Sequence, residues 1–235
     1  MEPDTKENGA EKKPKTVKET LLNVDYWKLR WAQRKVAFHS ANVHKFLAEY
    51  NDRLLVGREH IKILFPMCGK TVDMKWAYDL GHVVVGVEGS EIPIKEFFEE
   101  SGLEYTVEPL TTIAGNRYKT TDGRIQIFEC DLFDFNKDLA GQFDAIWDRG
   151  AIVAVNKDQQ KRSRRKEKST EIFLAMLHRL AGPCPPHVIL ENQVCDLYGD
   201  KCTVEKVCSV DSFKEKHKSW GITELNEDLY LIIVK

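Results

Sequence analysis

The sequence predicts an α/β domain built on a doubly wound, mostly parallel sheet, and two observations carry that prediction. Four short apolar segments each close on a residue suited to grip a nucleoside: Ile61–Phe65 before Pro66-Met67-Cys68-Gly69-Lys70, Val83–Val87 before Glu88, Ile125–Glu129 before Asp131, and Phe143–Trp147 before Asp148-Arg149-Gly150. Amphipathic stretches alternate with the first of these segments, which is the signature of βαβ units. In such a sheet ligands bind outside the carboxyl ends of the strands, so the four polar endings are expected to share one cleft.

The elements follow in order. Residues 1–18 are rich in Lys, Glu and Pro with little to bury, the composition of a disordered tail, and a single domain is expected over 19–235. From Asp25 to Tyr50 the apolar positions Trp27, Trp31, Val36, Phe38, Val43, Phe46, Leu47 and Tyr50 predict one or two helices lying on the sheet, the first capped by Asn23 or Asp25. Helices are expected over Val72–Leu80, stopped by Gly81-His82, and over Pro93–Ser101. Thr121-Asp122-Gly123 is a turn signal that predicts a hairpin between Arg117–Thr120 and the Ile125 strand. Beyond Val155 the pattern weakens. Lys157–Lys168 is polar and mostly basic, Thr170–Leu180 reads as a helix, and Gly182-Pro183-Cys184-Pro185-Pro186 admits neither helix nor strand. Only His187–Leu190 is then left to supply a fifth buried strand. Thr203–Val210 and Tyr230–Val234 alternate like antiparallel edge strands.

Composition narrows the class. With 35 basic and 37 acidic side chains the formal charge is −2, so no general field draws nucleic acid or an acidic membrane. The run Lys161-Arg162-Ser163-Arg164-Arg165-Lys166 alone favours a nucleic-acid module, and such a run is more commonly a solvated face. Six cysteines without a C-x-x-C pair lack zinc-ligand or disulfide-framework spacing, which points to a reducing compartment. The charged amino terminus has no signal-peptide core and no stretch is long and apolar enough for a membrane span, so a cytoplasmic protein is expected.

The strand endings point to a cofactor. Glu88 lies about twenty residues beyond the Cys68-Gly69 turn, where a carboxylate commonly accepts hydrogen bonds from both hydroxyls of an adenosine ribose, the other reading being a solvated loop acid. The first turn carries a single glycine instead of Gly-x-Gly-x-x-Gly, so it makes no provision for a pyrophosphate and a dinucleotide is disfavoured. Gly69-Lys70-Thr71 mimics the end of a P-loop, but the required first glycine falls at Leu64, and Lys70 reads as a solvent-facing or substrate-edge lysine. S-adenosyl-L-methionine, an adenosine without phosphates, suits the turn best. Asp131 either accepts from an adenine amino group or caps a helix. Arg149 either binds an acidic substrate or pairs with Asp148 or Asp144. Trp27 and Trp31, four apart, share one helical face and form either a core stripe or part of a cofactor box.

Longer strings are more specific. Trp27-x-x-x-Trp31, Ala37-Phe38-His39, Phe65-Pro66-Met67-Cys68-Gly69-Lys70 with Met74-Lys75-Trp76, Gly81–Glu88, Ile146-Trp147-Asp148-Arg149-Gly150-Ala151 and His217-Lys218-Ser219-Trp220-Gly221 together resemble the thiopurine S-methyltransferase family. The resemblance implies a seven-strand class I methyltransferase fold and methyl transfer from S-adenosylmethionine to aromatic or heterocyclic thiols by a monomer that needs no metal, nucleic acid or membrane. It implies cofactor contacts from Trp27, Trp31, Phe38, Met67, Glu88, Asp131, Leu132 and Arg149, and substrate contacts from Phe38, Arg149 and Lys216. The last two would carry the catalytic charge. Lys216 stands where relatives often have arginine, which keeps the charge and loses the planar fork. Against the family pattern, a fifth strand and its turn look absent or improvised before Gly182-Pro183. The alternative expectation is therefore a catalytically impaired isoform or a non-catalytic S-adenosylmethionine-binding protein.

Overall fold

The computed structural model describes residues 22–160, 172–180, 189, 191–198, 202–220 and 223–235. The expected amino-terminal tail, the 161–166 basic run and the Gly182–Pro186 junction lie outside these residues.

The first three helices each start where a side chain satisfies a free amide. Asn23 accepts from Tyr26 N (2.9 Å) to open α1 (Val24–Ala32), and His44 Nδ1 accepts from Phe46 N (3.3 Å) to open α2 (Lys45–Leu55). Thr71 opens α3 (Val72–Asp79) in the same way. The fourth helix, α4 (Glu91–Ser101), carries Pro93 in its first turn and ends on Gly102 in the left-handed conformation, φ +64°. Two shorter helices follow, α5 (Lys137–Ala140) and α6 (Glu191–Tyr198).

The strands are β1 (Lys62–Pro66), β2 (Val83–Glu88), β3 (Tyr105–Pro109), β4 (Asn116–Thr120), β5 (Ile125–Glu129), β6 (Ala145–Arg149), β7 (Ile172–Leu180), β8 (Cys202–Asp211) and β9 (Leu225–Val234). They form one sheet in the order β3-β4-β5-β2-β1-β6-β7-β9-β8. From β5 to β7 every neighbouring pair is parallel, and β9 runs antiparallel between β7 and β8. The chain winds outward from β1 through β2 to β5 on one side and from β6 to β7 on the other, so the order reverses between β1 and β6. Alternating side chains feed two cores. Ile63, Phe65 and Val84 face Phe46, Met74 and Phe97 of α2, α3 and α4, whereas Leu64, Val85 and Ile146 face Ile152, Val153 and Val194 on the opposite side.

Most expected elements form, including the β4–β5 hairpin, whose turn closes through Gly123 N to Thr120 O at 2.8 Å. Three expectations are corrected. The segment read as a helix, Thr170–Leu180, is the strand β7 from Ile172 onward, paired with β6 on one side and β9 on the other. The fifth strand is therefore neither missing nor improvised from His187–Leu190, of which the described residue, Ile189, lies outside any strand. The sheet also has nine strands where seven were expected. The antiparallel pair β3-β4 extends the β5 edge of an otherwise complete seven-strand order. The physical reason for the misreading is composition: Ile172-Phe-Leu-Ala-Met-Leu is apolar without alternation and rich in helix formers.

Candidate functional site

The reversal between β1 and β6 brings the strand endings together. Beyond β1 the backbone turns through Met67 (φ +45°) and Gly69 (φ +52°). At Gly69 a side chain is excluded twice over, by the left-handed conformation and because a Cβ there would lie 2.9 Å from Trp31 Cζ2. Cys68 N donates to Val87 O (3.0 Å), which fastens this turn to the end of β2.

Glu88 closes β2 and is 5% exposed. Its Oε2 accepts from Gly69 N and its Oε1 from Ser90 N, both at 2.9 Å, so one carboxylate joins the turns after β1 and β2. Burial raises its pKa to about 7, against the lowering effect of the Ser90, Gly69 and Gly89 amides. A carboxylate takes about four donors, so the Ser90, Gly69 and Gly89 amides leave acceptor capacity for one more.

Helix α1 lies as a strap across these endings. Val24 rests on the β2–α4 turn, where a Cβ on Gly89 would meet Val24 Cγ2 at 2.3 Å. Leu22 N donates to Asn156 Oδ1 (3.1 Å) and Trp27 Nε1 donates to Ala154 O (3.2 Å), so the strap is tied to the segment following β6. Phe38 meets Trp27 and Trp31 edge to face at centroid distances of 5.7 and 5.5 Å, yet remains 42% exposed. The tryptophans thus divide the two readings offered for them: Trp31 is buried, while Trp27 is half-buried and wall-forming.

At the end of β6, Asp148 is buried and accepts from Ala151 N (2.6 Å) and Ile152 N (3.2 Å), capping the short 3-10 turn Ile152–Ala154. Burial raises its pKa to about 7 as well. Asp144 accepts from Lys62 N (2.7 Å). The ion-pair alternative for Arg149 is accordingly not the one taken. Its Nη2 donates to Phe38 O (2.6 Å), bringing a guanidinium to the aromatic wall. His39, next along the chain, is held below its ordinary pKa by burial and by the Lys70 and Arg149 charges.

The remaining expected residues divide. Asp131 Oδ1 accepts from Phe133 N (2.7 Å) and its carbonyl from Asp134 N and Phe135 N, so its side chain acts as the cap of a turn. Leu132 packs partly buried beside it, and the turn is held near the cleft by Cys130 N to Glu88 O (3.1 Å). Lys70 is not solvent-facing. Its Nζ pairs with Glu96 (2.9 Å) and Glu100 (2.6 Å) on α4. Lys216 falls in the 3-10 turn Glu215–Trp220, and its side chain is outside the described residues. Because Leu225 pairs with Leu180 at the carboxyl end of β7, the β8–β9 connection that carries this turn lies on the cleft side of the sheet.

One residue of this neighbourhood had not been singled out. Asp73, fully buried in the first turn of α3, accepts from His44 N (2.8 Å) and Trp147 Nε1 (2.9 Å). The available signal, an acid two residues after Thr71, reads only as an ordinary helix start. Among the described residues no cluster of His, Cys, Asp or Glu is arranged to hold a metal, and no helix is long and apolar enough to cross a membrane.

Comparison with known proteins agrees with this arrangement. A probable thiopurine S-methyltransferase of Danio rerio is 40% identical over 232 residues, spanning 92% of this chain and 96% of the relative. The thiopurine S-methyltransferase of Rattus norvegicus is 38% identical, spanning 93% and 94%. Among solved structures, a Burkholderia thailandensis 1,6-didemethyltoxoflavin-N1-methyltransferase with bound S-adenosylhomocysteine superposes with a TM-score of 0.62 at 13% identity, covering 90% of this chain and 87% of that one. A Synechocystis magnesium protoporphyrin IX methyltransferase with bound S-adenosylmethionine gives 0.59 at 10% identity, covering 90% and 94%. These distant structures share the fold. The sequence pattern of the family described as thiopurine S-methyltransferase matches residues 22–235, and the chain belongs to that family.

Proposed function

We propose that this protein transfers the methyl group of S-adenosylmethionine to the sulfur of an aromatic or heterocyclic thiol, with the strand-end cleft as its site. Beyond family membership, the observation that carries the reading is the meeting of Arg149 with Phe38 beside the Glu88 ending. A cation, an aromatic wall and a ribose acceptor then surround one space.

The donor set fits the cofactor. Glu88 retains acceptor capacity for a ribose hydroxyl, the single-glycine turn asks for no phosphates, and Trp31 borders the same turn. When bound, S-adenosylmethionine supplies an electrophilic methyl on a sulfonium, whose displacement disperses charge. The chain's residues then have to align and desolvate. Arg149 favours a thiolate and any carboxylate on the substrate, and Lys216 adds charge from the β8–β9 side. Phe38 and Trp27 exclude water along one wall. An aromatic thiol ionises more readily than an alkyl thiol, whose pKa is about 8.5, so a strong general base is unnecessary.

The test uses the purified full chain. Calorimetry should show binding of S-adenosylhomocysteine and none of NAD, and thiophenol and thiobenzoate should be methylated. Absence of S-adenosylhomocysteine binding would overturn the reading. The complete β6-β7-β9 order favours the active enzyme over the impaired isoform, whose motive was an absent strand. The same reading takes 19–235 as one catalytic domain working as a cytoplasmic monomer, without metal, nucleic acid or membrane partners. Sedimentation and fractionation test those points.

A further inference from the structure

We infer that Asp73 is a positioning residue for thiol binding, acting by holding the segment 39–44 that trails Phe38. This deepens the proposed function and rests on it. The segment between α1 and α2 is fixed at two points beside the site: Phe38 O receives Arg149 Nη2, and His44 N donates to Asp73 Oδ1. Both anchors lead back to one strand. Trp147 donates its indole N–H to Asp73 Oδ2, and Arg149, two residues further along β6, points to the same side of the sheet. The connections close a ring from Asp73 through Trp147, Arg149 and Phe38 to His44 and back.

The ring joins two sides of the proposed site. Asp73 begins the helix that leaves the β1 turn, so it stands on the cofactor side. Arg149 and Phe38 stand on the thiol side. Asp73 is fully buried and Trp147 is 1% exposed, so these bonds are made away from water, where a displaced donor finds no ready substitute. Loss of the His44 anchor leaves the Phe38 carbonyl as the remaining tie of this ring to the segment. Phe38 can then shift against Arg149. In the proposed site the cofactor rests mainly on Glu88, on the turn tied to it through Gly69 N and on α1, which this anchor does not hold.

A pair of variants isolates the backbone bond. His44 has φ −63°, the value proline adopts, so His44→Pro removes the N–H with little conformational demand, and His44→Ala removes the side-chain cap while keeping the N–H. Both are measured in the full chain by thiophenol methylation and by calorimetry with S-adenosylhomocysteine. His44→Pro should raise the KM for thiophenol about tenfold over His44→Ala, with saturated kcat and S-adenosylhomocysteine affinity within about twofold. Equal KM values in the two variants would overturn the inference, as would a loss of S-adenosylhomocysteine affinity in step with KM, which marks a general structural defect. Should His44→Pro fail to fold, Asp73→Ala against Trp147→Phe decides: the first removes the acceptor for His44 N and should raise KM, and the second keeps that acceptor and should only lower the melting temperature. A wild-type chain that neither binds S-adenosylhomocysteine nor methylates thiols refutes the proposed function itself. An active wild type with equal variants refutes only the role of Asp73.

Discussion

The two wings of the sheet differ in how directly sequence writes structure. On one side of β1, the strands β2 and β5 are short apolar runs bounded by turn residues, and the hairpin β4–β5 announces itself through Asp122-Gly123. On the other side β7 is nine residues long, with leucine, alanine, methionine and arginine in the proportions of a helix. It is a strand because β6 and β9 flank it. An isolated stretch of this composition has every local reason to coil, and the open backbone edges of its neighbours decide otherwise. Position in the sheet outweighs propensity where a strand is central and lacks the alternation that exposes one face.

That contrast is broken most forcefully at the centre of β7. Ala175 lies opposite Asp148 of β6 and Tyr230 of β9, so Ala175→Pro removes a backbone donor and inserts a ring between two ladders. A loss of about 3 kcal/mol or more is expected, and with it cooperative melting and S-adenosylhomocysteine binding, because β7 also pairs with Arg149 through Met176. A melting temperature within a few degrees of wild type would show that β7 is not an interior strand of the sheet.

The site repeats the same division. Glu88 and Arg149 were legible because each follows a short buried strand, and the strand order places such endings in one cleft. The packing of Trp27 and Trp31 against Phe38 was legible only through family resemblance, since two tryptophans at helical spacing read equally well as core. Asp73 escaped notice because its partners are a backbone N–H 29 residues before it and an indole 74 residues after it, and no local pattern records either. The bond from Arg149 to a carbonyl 111 residues away likewise leaves no mark in the local sequence.

Glu88→Ala is the next largest effect and tests the legible wing. Loss of the proposed ribose acceptor should weaken S-adenosylhomocysteine binding by about 1.5–3 kcal/mol in calorimetry. The pH dependence is sharper still. With a folded pKa of about 7 against an ordinary 4.5, the native chain holds this proton more tightly than the unfolded one. The group's contribution to stability is therefore full below about 4.5 and lost as pH rises through about 7. Hydroxyl donors favour the carboxylate, so cofactor affinity should increase from pH 5.5 to 7.5, with proton release on binding. Asp148 titrates in the same range without belonging to the ribose contacts. Glu88→Gln should flatten the affinity profile, and an unchanged profile would assign it to another group.

Arg149→Ala compares the two sides of the cleft directly. In the proposed site its guanidinium lies on the thiol side, so kcat/KM for thiobenzoate should fall about tenfold or more while thiophenol loses much less. S-adenosylhomocysteine affinity should change little by comparison. Equal losses on both thiols would mean that the Phe38 carbonyl bond, which shapes the wall, is the residue's main contribution.

Asp131→Ala should give the smallest effect, and it separates a carboxylate that faces the ligand from one that serves the backbone. Both Glu88 and Asp131 follow parallel strands, and both accept backbone amides, but they do so differently. Glu88 joins two turns from separate parts of the chain, whereas Asp131 bonds Phe133 N two residues ahead, within its own turn. Removing that cap should lower stability by about 1 kcal/mol, the usual scale for such a side chain. The carbonyl of Asp131 still accepts from Asp134 and Phe135, and Cys130 N still holds the turn to Glu88 O, so the backbone beside the cleft should persist. Cofactor affinity should then fall less than about threefold, well under the change expected at Glu88. Paired melting and calorimetry on the variant provide the check. A loss of S-adenosylhomocysteine affinity as large as that of Glu88→Ala would restore Asp131 as a direct side-chain contact to adenine and make its capping bond secondary.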